Sequence, residues 1–228
     1  MEVMRNFGPK DNFLKKVRDL ANRKNIVLIF DECSSGFRET YGGIFKKFDV
    51  IPDMVMFGKT IGNGYALTAI VGKESVMKSA QDTFISSLYW TDSIGPAATL
   101  ATIKKIIRED VPSHTEKLGK MTQNIWLDAA KDCGLEIKIT GPVPQLSIFS
   151  FEYPNSLEVK TLFNQLMLDR GFLTTTAFYP SFAHNESHLN AYEKVLDKWL
   201  KILKEQSVIA VDTETSSLNP QEADLVGI

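Results

Sequence analysis

The feature that most constrains the fold is an uninterrupted run of apolar residues that ends abruptly in acidic ones. Residues 26–30 carry no polar side chain, and Asp31 and Glu32 follow them directly. A run of this length predicts a strand that is buried on both faces, as in parallel sheets that helices cover. We therefore expect an α/β fold, with Asp31 at the carboxyl end of a strand, where such sheets bind ligands.

A second apolar run ends in a lysine. Residues 54–57 predict another strand, and Gly58 and Lys59 follow it, before a turn that contains Gly62 and Gly64. A lysine amine that is shielded from water loses its charge more easily and can form a Schiff base with an aldehyde, as in pyridoxal phosphate (PLP) enzymes. An ordinary surface lysine in a loop is the alternative, and it would be favoured if the motif stood alone.

Two other features are what PLP would need. A carboxylate such as Asp31 keeps the pyridine nitrogen of the cofactor protonated, so that its ring can accept electrons. A polar segment that includes Thr91 leads into a helix predicted from Ile94 to Ile107, and helix starts of this kind favour phosphate. The residues themselves thus indicate an amine, a carboxylate and a phosphate site.

In this order, the three segments resemble the class III PLP-dependent aminotransferases. The matching patterns are D-E-x-x-x-G-F-R from Asp31, P-D-x-x-x-x-G-K-x-I-G-N-G from Pro52 and T-x-x-x-x-P-A-A from Thr91. Within that class they are most similar to the glutamate-1-semialdehyde aminotransferase-like group. The resemblance covers roughly residues 1 to 205.

The resemblance implies roles for four residues. Lys59 matches the catalytic lysine, which forms the Schiff base with PLP and moves a proton. Asp31 matches the partner of the pyridine nitrogen, and Thr91 matches the threonine that reaches the cofactor phosphate, typically across a dimer interface. Cys33 stands where the family usually has valine, against one face of the ring. Glu32 and Arg38 are expected to hold the loop after the strand.

The resemblance also implies an activity and an organisation. The activity would be transamination or aminomutation between a small-molecule amino donor and a keto or aldehyde acceptor, in a homodimer. Residues 1–108 would form the C-terminal half of the large domain of a PLP-dependent transferase of fold type I, and residues 109–205 a small α+β domain. The N-terminal cofactor elements of the family are not found, so we expect a truncated chain that binds PLP weakly or not at all. A catalytically inactive fragment or chimera is therefore the alternative.

The elements predicted for the small domain alternate between helices and strands. They are a helix near residues 113–130, strands near 135–139 and 146–151, a helix near 157–169, and a last amphipathic helix that Asn185 or Ser187 would cap.

A different pattern begins after the last predicted helix. Residues 206–228 contain V-D-T-E-T-x-S-L and A-D-L-V-G-I, and they resemble the opening β-hairpin of the DEDD 3′–5′ exonuclease domain of family A DNA polymerases. Asp212 and Glu214 are two residues apart, so both carboxylates leave one face of a strand and can share divalent metal ions. The other two carboxylates of that domain are not found. The tail is therefore interpreted as a remnant of a metal-dependent exonuclease, joined by a gene fusion or by an assembly artefact. Nucleic acid is expected as a partner only if the tail belongs to a complete exonuclease.

Composition argues against several other classes of protein. The chain has 26 basic and 28 acidic residues and a net charge of −2, so no strong field attracts nucleic acid or a membrane surface. No stretch is apolar enough to span a bilayer or to serve as a signal peptide. Cys33 and Cys133 form no metal-ligand pattern, and neither do the three histidines. We expect a cytoplasmic protein with no membrane partner.

Overall fold

The computed structural model describes residues 7–205 and two short strands beyond them, and it describes side chains for residues 7–196. Contacts within the chain divide it into two compact units. Over the continuous stretch that is described, the first contains residues 7–117, 141–145 and 180–183, and the second contains residues 118–140, 146–179 and 184–205. The predicted division after residue 108 stays a prediction.

The first unit is built on a three-stranded sheet with the order β1-β2-β3. Strands β1 and β2 are parallel, with Phe30 opposite Val55, and β2 and β3 are antiparallel. The strands are β1 (Ile29–Asp31), β2 (Met54–Phe57) and β3 (Ala69–Gly72). The helices are α1 (Phe13–Lys24), α2 (Glu74–Met77) and α3 (Ile94–Arg108), with 3₁₀ turns at Ile44–Phe48 and Lys78–Asp82.

The apolar run before Asp31 is packed on one side. Leu28 and Phe30 are buried in a cluster with Leu14 and Ala21 of α1. Because side chains alternate across a strand, Ile29 points the other way, and its side chain is 39% exposed. The predicted burial on both faces is therefore wrong for this strand.

The second unit is an antiparallel sheet packed with helices. The sheet has the order β4-β5-β6. Its core is rich in aromatic rings, and the buried indole of Trp126 donates a hydrogen bond to the hydroxyl of Tyr192. The elements are α4 (Val111–Cys133, which begins in the first unit), β4 (Ile137–Thr140), β5 (Ser147–Phe151), α5 (Ser156–Leu168), β6 (Ala177–Phe178) and α6 (Glu186–Glu205). The predicted α+β architecture of this region is confirmed.

Helix α6 begins where the sequence predicts. The side-chain oxygen of Asn185 accepts a hydrogen bond from the backbone N–H of Ser187, at 2.9 Å. In return, the Nδ1 atom of His188 accepts a hydrogen bond from the backbone N–H of Asn185, at 3.2 Å. This reciprocal arrangement satisfies two backbone donors at the start of the helix. His188 therefore has a structural role.

The tail contains the antiparallel pair that a β-hairpin requires. Strand β7 (Glu214–Thr215) pairs with β8 (Leu225–Gly227), with Glu214 opposite Gly227. Asp212 lies outside the described residues, and only the backbone of Glu214 is described. Among the helices that the structure describes, none has the length and apolar character needed to cross a bilayer.

Candidate active site

The predicted carboxylate and amine lie at the same edge of the sheet. Strands β1 and β2 are parallel, so their carboxyl ends coincide, and Asp31 lies opposite Met56. The backbone N–H of Glu32 continues the pairing by donating to the carbonyl of Met56, at 2.9 Å. Asp31 ends one strand, and Lys59 lies two residues beyond the end of the other. The topology therefore brings these two residues together, as the order of the apolar runs predicts.

Lys59 occupies an unusual backbone conformation in this edge. Its φ angle is +45°, in the left-handed region that residues with side chains rarely adopt. Such conformations cluster at functional sites. The amine Nζ donates a hydrogen bond to the Oγ atom of Ser34, at 2.5 Å. The predicted shielding from water is not observed, because Lys59 is exposed among the described residues.

Asp31 is a half-buried carboxylate whose ionised form is stabilised. The backbone N–H of Cys33 donates to its Oδ1 atom at 3.0 Å, and the thiol of the same residue also donates to the carboxylate. These hydrogen bonds, with a smaller contribution from the positive charge of Lys59, lower the pKa of Asp31. An ionised carboxylate of this kind can accept a hydrogen bond from a protonated ring nitrogen.

The turn after β1 is held by Glu32 and Arg38. Glu32 is only 1% exposed, and its carboxylate accepts hydrogen bonds from the backbone N–H groups of Ile44 and Phe45 and from the Ser35 hydroxyl. Burial raises the pKa of Glu32. The guanidinium Nε of Arg38 donates to the carbonyl of Ser34, at 2.6 Å. Both residues hold the loop, as the sequence predicts.

The glycine of the D-E-x-x-x-G-F-R motif is explained by close packing in this turn. A Cβ atom on Gly36 would lie 2.5 Å from the ring of Phe57 and 2.8 Å from the carbonyl oxygen of Glu32. No side chain fits at these distances. Gly36 therefore lets the turn after β1 pack against the end of β2, beside Lys59.

Cys33 and Thr91 differ in their relation to Lys59. A Cβ atom on Gly58 would lie 3.4 Å from the Cys33 sulfur, so Cys33 packs against the residue that precedes Lys59. Thr91 lies exposed in a turn before α3, and within the described residues no hydrogen bond joins it to Asp31 or Lys59. The same turn borders a groove of about 520 Å³. Its lining residues are Ala66, Leu67, Thr68, Ser87, Tyr89, Trp90, Asp92, Gly95 and Pro96.

Comparison with known proteins identifies the family. The model of the class-III aminotransferases matches residues 6–200. The chain belongs to this family. It is 37% identical over 145 residues to a 3-aminobutyryl-CoA aminotransferase of Cloacimonas acidaminovorans, a match that covers 63% of this chain and 35% of the relative. It is 29% identical over 223 residues to a glutamate-1-semialdehyde 2,1-aminomutase of Nitrosopumilus maritimus, covering 89% of this chain and 52% of the relative. The chain thus spans about half, or less, of the length of these curated relatives.

Solved structures show the same fold. The FumI protein of Sphingopyxis sp. MTA144, in its PLP internal aldimine form, superposes with a TM-score of 0.83 at 19% identity, over 89% of this chain and 51% of that one. An ornithine aminotransferase of Plasmodium yoelii gives 0.74 at 20% identity, over 89% and 56%. The prediction of an α/β fold that corresponds to part of a fold type I PLP-dependent transferase is confirmed.

The site of this class-III aminotransferase chain fits part of a PLP molecule. The ionised Asp31 carboxylate suits the ring nitrogen, and the exposed Lys59 amine at the neighbouring strand end is open to an aldehyde. Cys33 contacts both strand ends, since its backbone N–H donates to Asp31 and its sulfur packs on Gly58. The roles of Lys59, Asp31, Cys33 and Thr91 follow from the resemblance and stay predictions.

Ser34 is the residue of this site that sequence reasoning misses. The sequence places two serines after Cys33, and nothing in their spacing tells which of them faces a lysine 25 residues away. The structure separates them: Ser34 contacts Lys59, whereas Ser35 is buried against Glu32.

The metal site predicted for the tail is not tested by this structure. Asp212 and the side chain of Glu214 lie outside the part that is described. Over the side chains that are described, no group of three or more His, Cys, Asp or Glu residues could hold a metal ion.

Proposed function

We propose that this chain carries the reactive end of a PLP-dependent transaminase or aminomutase. The observation that carries the proposal is the position of Lys59 and of the ionised Asp31 carboxylate at the same edge of the sheet, where two parallel strands end. PLP supplies an aldehyde for an amine and a ring that withdraws electrons from a bound substrate. Lys59 would hold the cofactor covalently and move a proton at the substrate carbon, as general acid and base.

The other site residues would bind and orient the cofactor. Asp31 would keep the proton on the ring nitrogen, since its own pKa is lowered and its carboxylate stays ionised. Cys33 would pack against one face of the ring. Thr91 would bind the phosphate, and its exposure on the surface of the unit supports a site shared with a second copy in a homodimer.

The substrates are proposed as a small-molecule amino donor and a keto or aldehyde acceptor. One relative carries the name of an aminotransferase and another that of an aminomutase, so both reaction types are consistent with the family. A cytoplasmic location is proposed because Cys33 and Cys133 form no disulfide and the charge is balanced.

The visible absorbance of PLP bound to a lysine tests this proposal. The purified chain, Lys59→Ala and the control Lys78→Ala would be titrated with PLP; Lys78 is a surface residue of the same unit, with a side chain 74% exposed. We expect the band of the wild type and of the control to exceed that of Lys59→Ala at each PLP concentration, because Lys59 alone of these lysines follows a strand that is paired with the strand ending in Asp31. A soluble wild type without a band would identify an inactive fragment. A band of equal strength in Lys59→Ala would place the reactive amine elsewhere.

For the tail, we propose the opening β-hairpin of a DEDD exonuclease-like domain, which the antiparallel pairing of β7 and β8 supports. Asp212 and Glu214 would bind a divalent cation. Calorimetric titration with Mn²⁺ of the wild type and of Glu214→Gln tests this, with Glu152→Gln as a control for carboxylates elsewhere. We expect binding that only Glu214→Gln weakens. Equal binding in all three proteins would contradict the proposal.

A further inference from the structure

We infer that Ser34 is a positioning residue for Lys59, an inference that rests on the function proposed above. The hydroxyl of Ser34 accepts a hydrogen bond from the Lys59 amine at 2.5 Å, across two turns that follow neighbouring parallel strands. A lysine side chain has a flexible four-carbon stem, and an exposed one samples many rotamers in solution. The hydrogen bond to Ser34 selects one arrangement, in which the amine lies against the turn that follows Asp31.

Ser34 can do this because its own position is fixed. Arg38 donates to the carbonyl of Ser34 at 2.6 Å. The backbone N–H of Gly36 donates to the carbonyl of Glu32 at 2.8 Å, which closes the turn around Ser34. The buried carboxylate of Glu32 ties this turn to the backbone of residues 44 and 45. The hydroxyl that holds Lys59 is therefore carried by a turn with three separate anchors.

A hydroxyl also suits the chemistry of a lysine that changes its protonation. Serine both accepts and donates hydrogen bonds. The Ser34 hydroxyl can accept a hydrogen bond from the ammonium form of lysine and donate one to the lone pair of the neutral amine. The contact between Ser34 and Lys59 can therefore hold both forms. A carboxylate accepts only, and it favours the charged form. In this arrangement, the Asp31 carboxylate would interact with the ring nitrogen, and the Ser34 hydroxyl would hold the lysine amine.

Reductive trapping tests the inference without measuring turnover. Each protein is incubated with PLP and then with borohydride, which fixes the cofactor on the lysine that holds it, and peptide mass spectrometry gives the fraction on Lys59. Ser34→Thr and Ser34→Val are the deciding pair, because they have the same shape and differ in the hydroxyl. Ser34→Ala is added, and Ser75→Ala, at an exposed position of α2, is the control.

We expect Ser34→Val and Ser34→Ala to lower trapping on Lys59 about fivefold, the factor that one ordinary hydrogen bond is worth, while Ser34→Thr and Ser75→Ala match the wild type. Equal trapping in the Thr and Val variants would overturn the inference and leave the proposed function standing. A wild type that traps no PLP on Lys59 would overturn both. Should Ser34→Ala fail to fold, the Thr and Val pair still decides.

Discussion

The two ends of the sheet in the first unit use an aspartate in opposite ways. At the amino end of β2, Asp53 is 8% exposed and accepts hydrogen bonds from Arg18 at 2.7 Å, Lys73 at 2.7 Å and the backbone of Leu28 at 2.8 Å. At the carboxyl end of β1, Asp31 is half-buried and, within residues 7–196, it is hydrogen-bonded by Cys33 alone. The Asp53 carboxylate is paired within the protein, whereas the Asp31 carboxylate is held in place but still accessible.

This difference separates a structural carboxylate from a candidate functional one. Asp53 ties together α1, the residue that follows β3 and the segment before β1, through two ion pairs and a backbone hydrogen bond. By contrast, Asp31 is held mainly by the backbone N–H of Cys33, and Lys59 by the hydroxyl of Ser34. A ligand can still bind a charged group that the fold positions but does not pair with an opposite charge.

The largest expected effect is on stability, from Asp53→Asn. Removing this charge leaves the poorly exposed Arg18 guanidinium without its partner, and we expect the free energy of unfolding to fall by about 3 kcal/mol. Asp31→Asn should change it by less than about 1 kcal/mol, since a half-exposed carboxylate is replaced by a group of equal size. Denaturant unfolding, followed by circular dichroism, measures both.

A double variant controls this measurement. In Arg18→Met with Asp53→Asn the unpaired cation is gone, so we expect part of the lost stability to return. If Asp31→Asn proved as destabilising as Asp53→Asn, both ends of the sheet would be structural and the distinction between them would be wrong.

The pH dependence of stability should also reveal Asp53, because its pKa is shifted by its hydrogen bonds. Hydrogen bonds from Leu28, Lys73 and Arg18 outweigh the effect of burial and depress the pKa of Asp53. Its contribution is therefore present above the ordinary aspartate pKa, near 4, and is lost as the pH falls below that value. We expect the wild type to lose about 2 kcal/mol more than Asp53→Asn between roughly pH 5 and pH 2. Unfolding curves across that range measure the difference, and parallel losses would contradict it.

The buried carboxylate of Glu32 should change the pH dependence of stability in the opposite direction to Asp53. Burial raises its pKa, so the folded protein binds a proton at Glu32 more readily than the unfolded chain does. Its ionisation costs stability above the raised pKa, and protonation relieves that cost as the pH falls. Glu32→Gln should therefore steepen the loss of stability on the acid side, where Asp53→Asn makes it shallower.

Much of the site follows from local sequence patterns. Two apolar runs predict two strands, and the rule that parallel strands present their carboxyl ends together brings Asp31 and Lys59 to one edge. The helix from Ile94 and the start of α6 at Asn185 follow from periodicity and capping residues. These features depend on neighbours in the chain, which a sequence displays directly.

The remaining features depend on partners distant in the chain. The exposure of Ile29 depends on which residues pack on the second face of β1. An apolar run in the sequence does not identify those residues. The role of Ser34 requires a lysine 25 residues away, and the role of Asp53 requires an arginine 35 residues away. The motif P-D contains Asp53, but the same letters would fit a carboxylate at a turn with no ion pair.

The smallest expected effect distinguishes the two cations that share Asp53. Arg18 and Lys73 both lie 2.7 Å from its carboxylate, but the Arg18 side chain is 14% exposed and that of Lys73 is 50% exposed. Because water and salt screen an exposed pair, Lys73→Met should cost about 0.5 kcal/mol, and 1 M NaCl should nearly abolish that cost. Arg18→Met should cost about 2 kcal/mol and depend little on salt, since it removes the buried partner. Equal costs for the two variants in denaturant unfolding would mean that burial does not rank the pairs, and that the amino end of the sheet is held by charge alone.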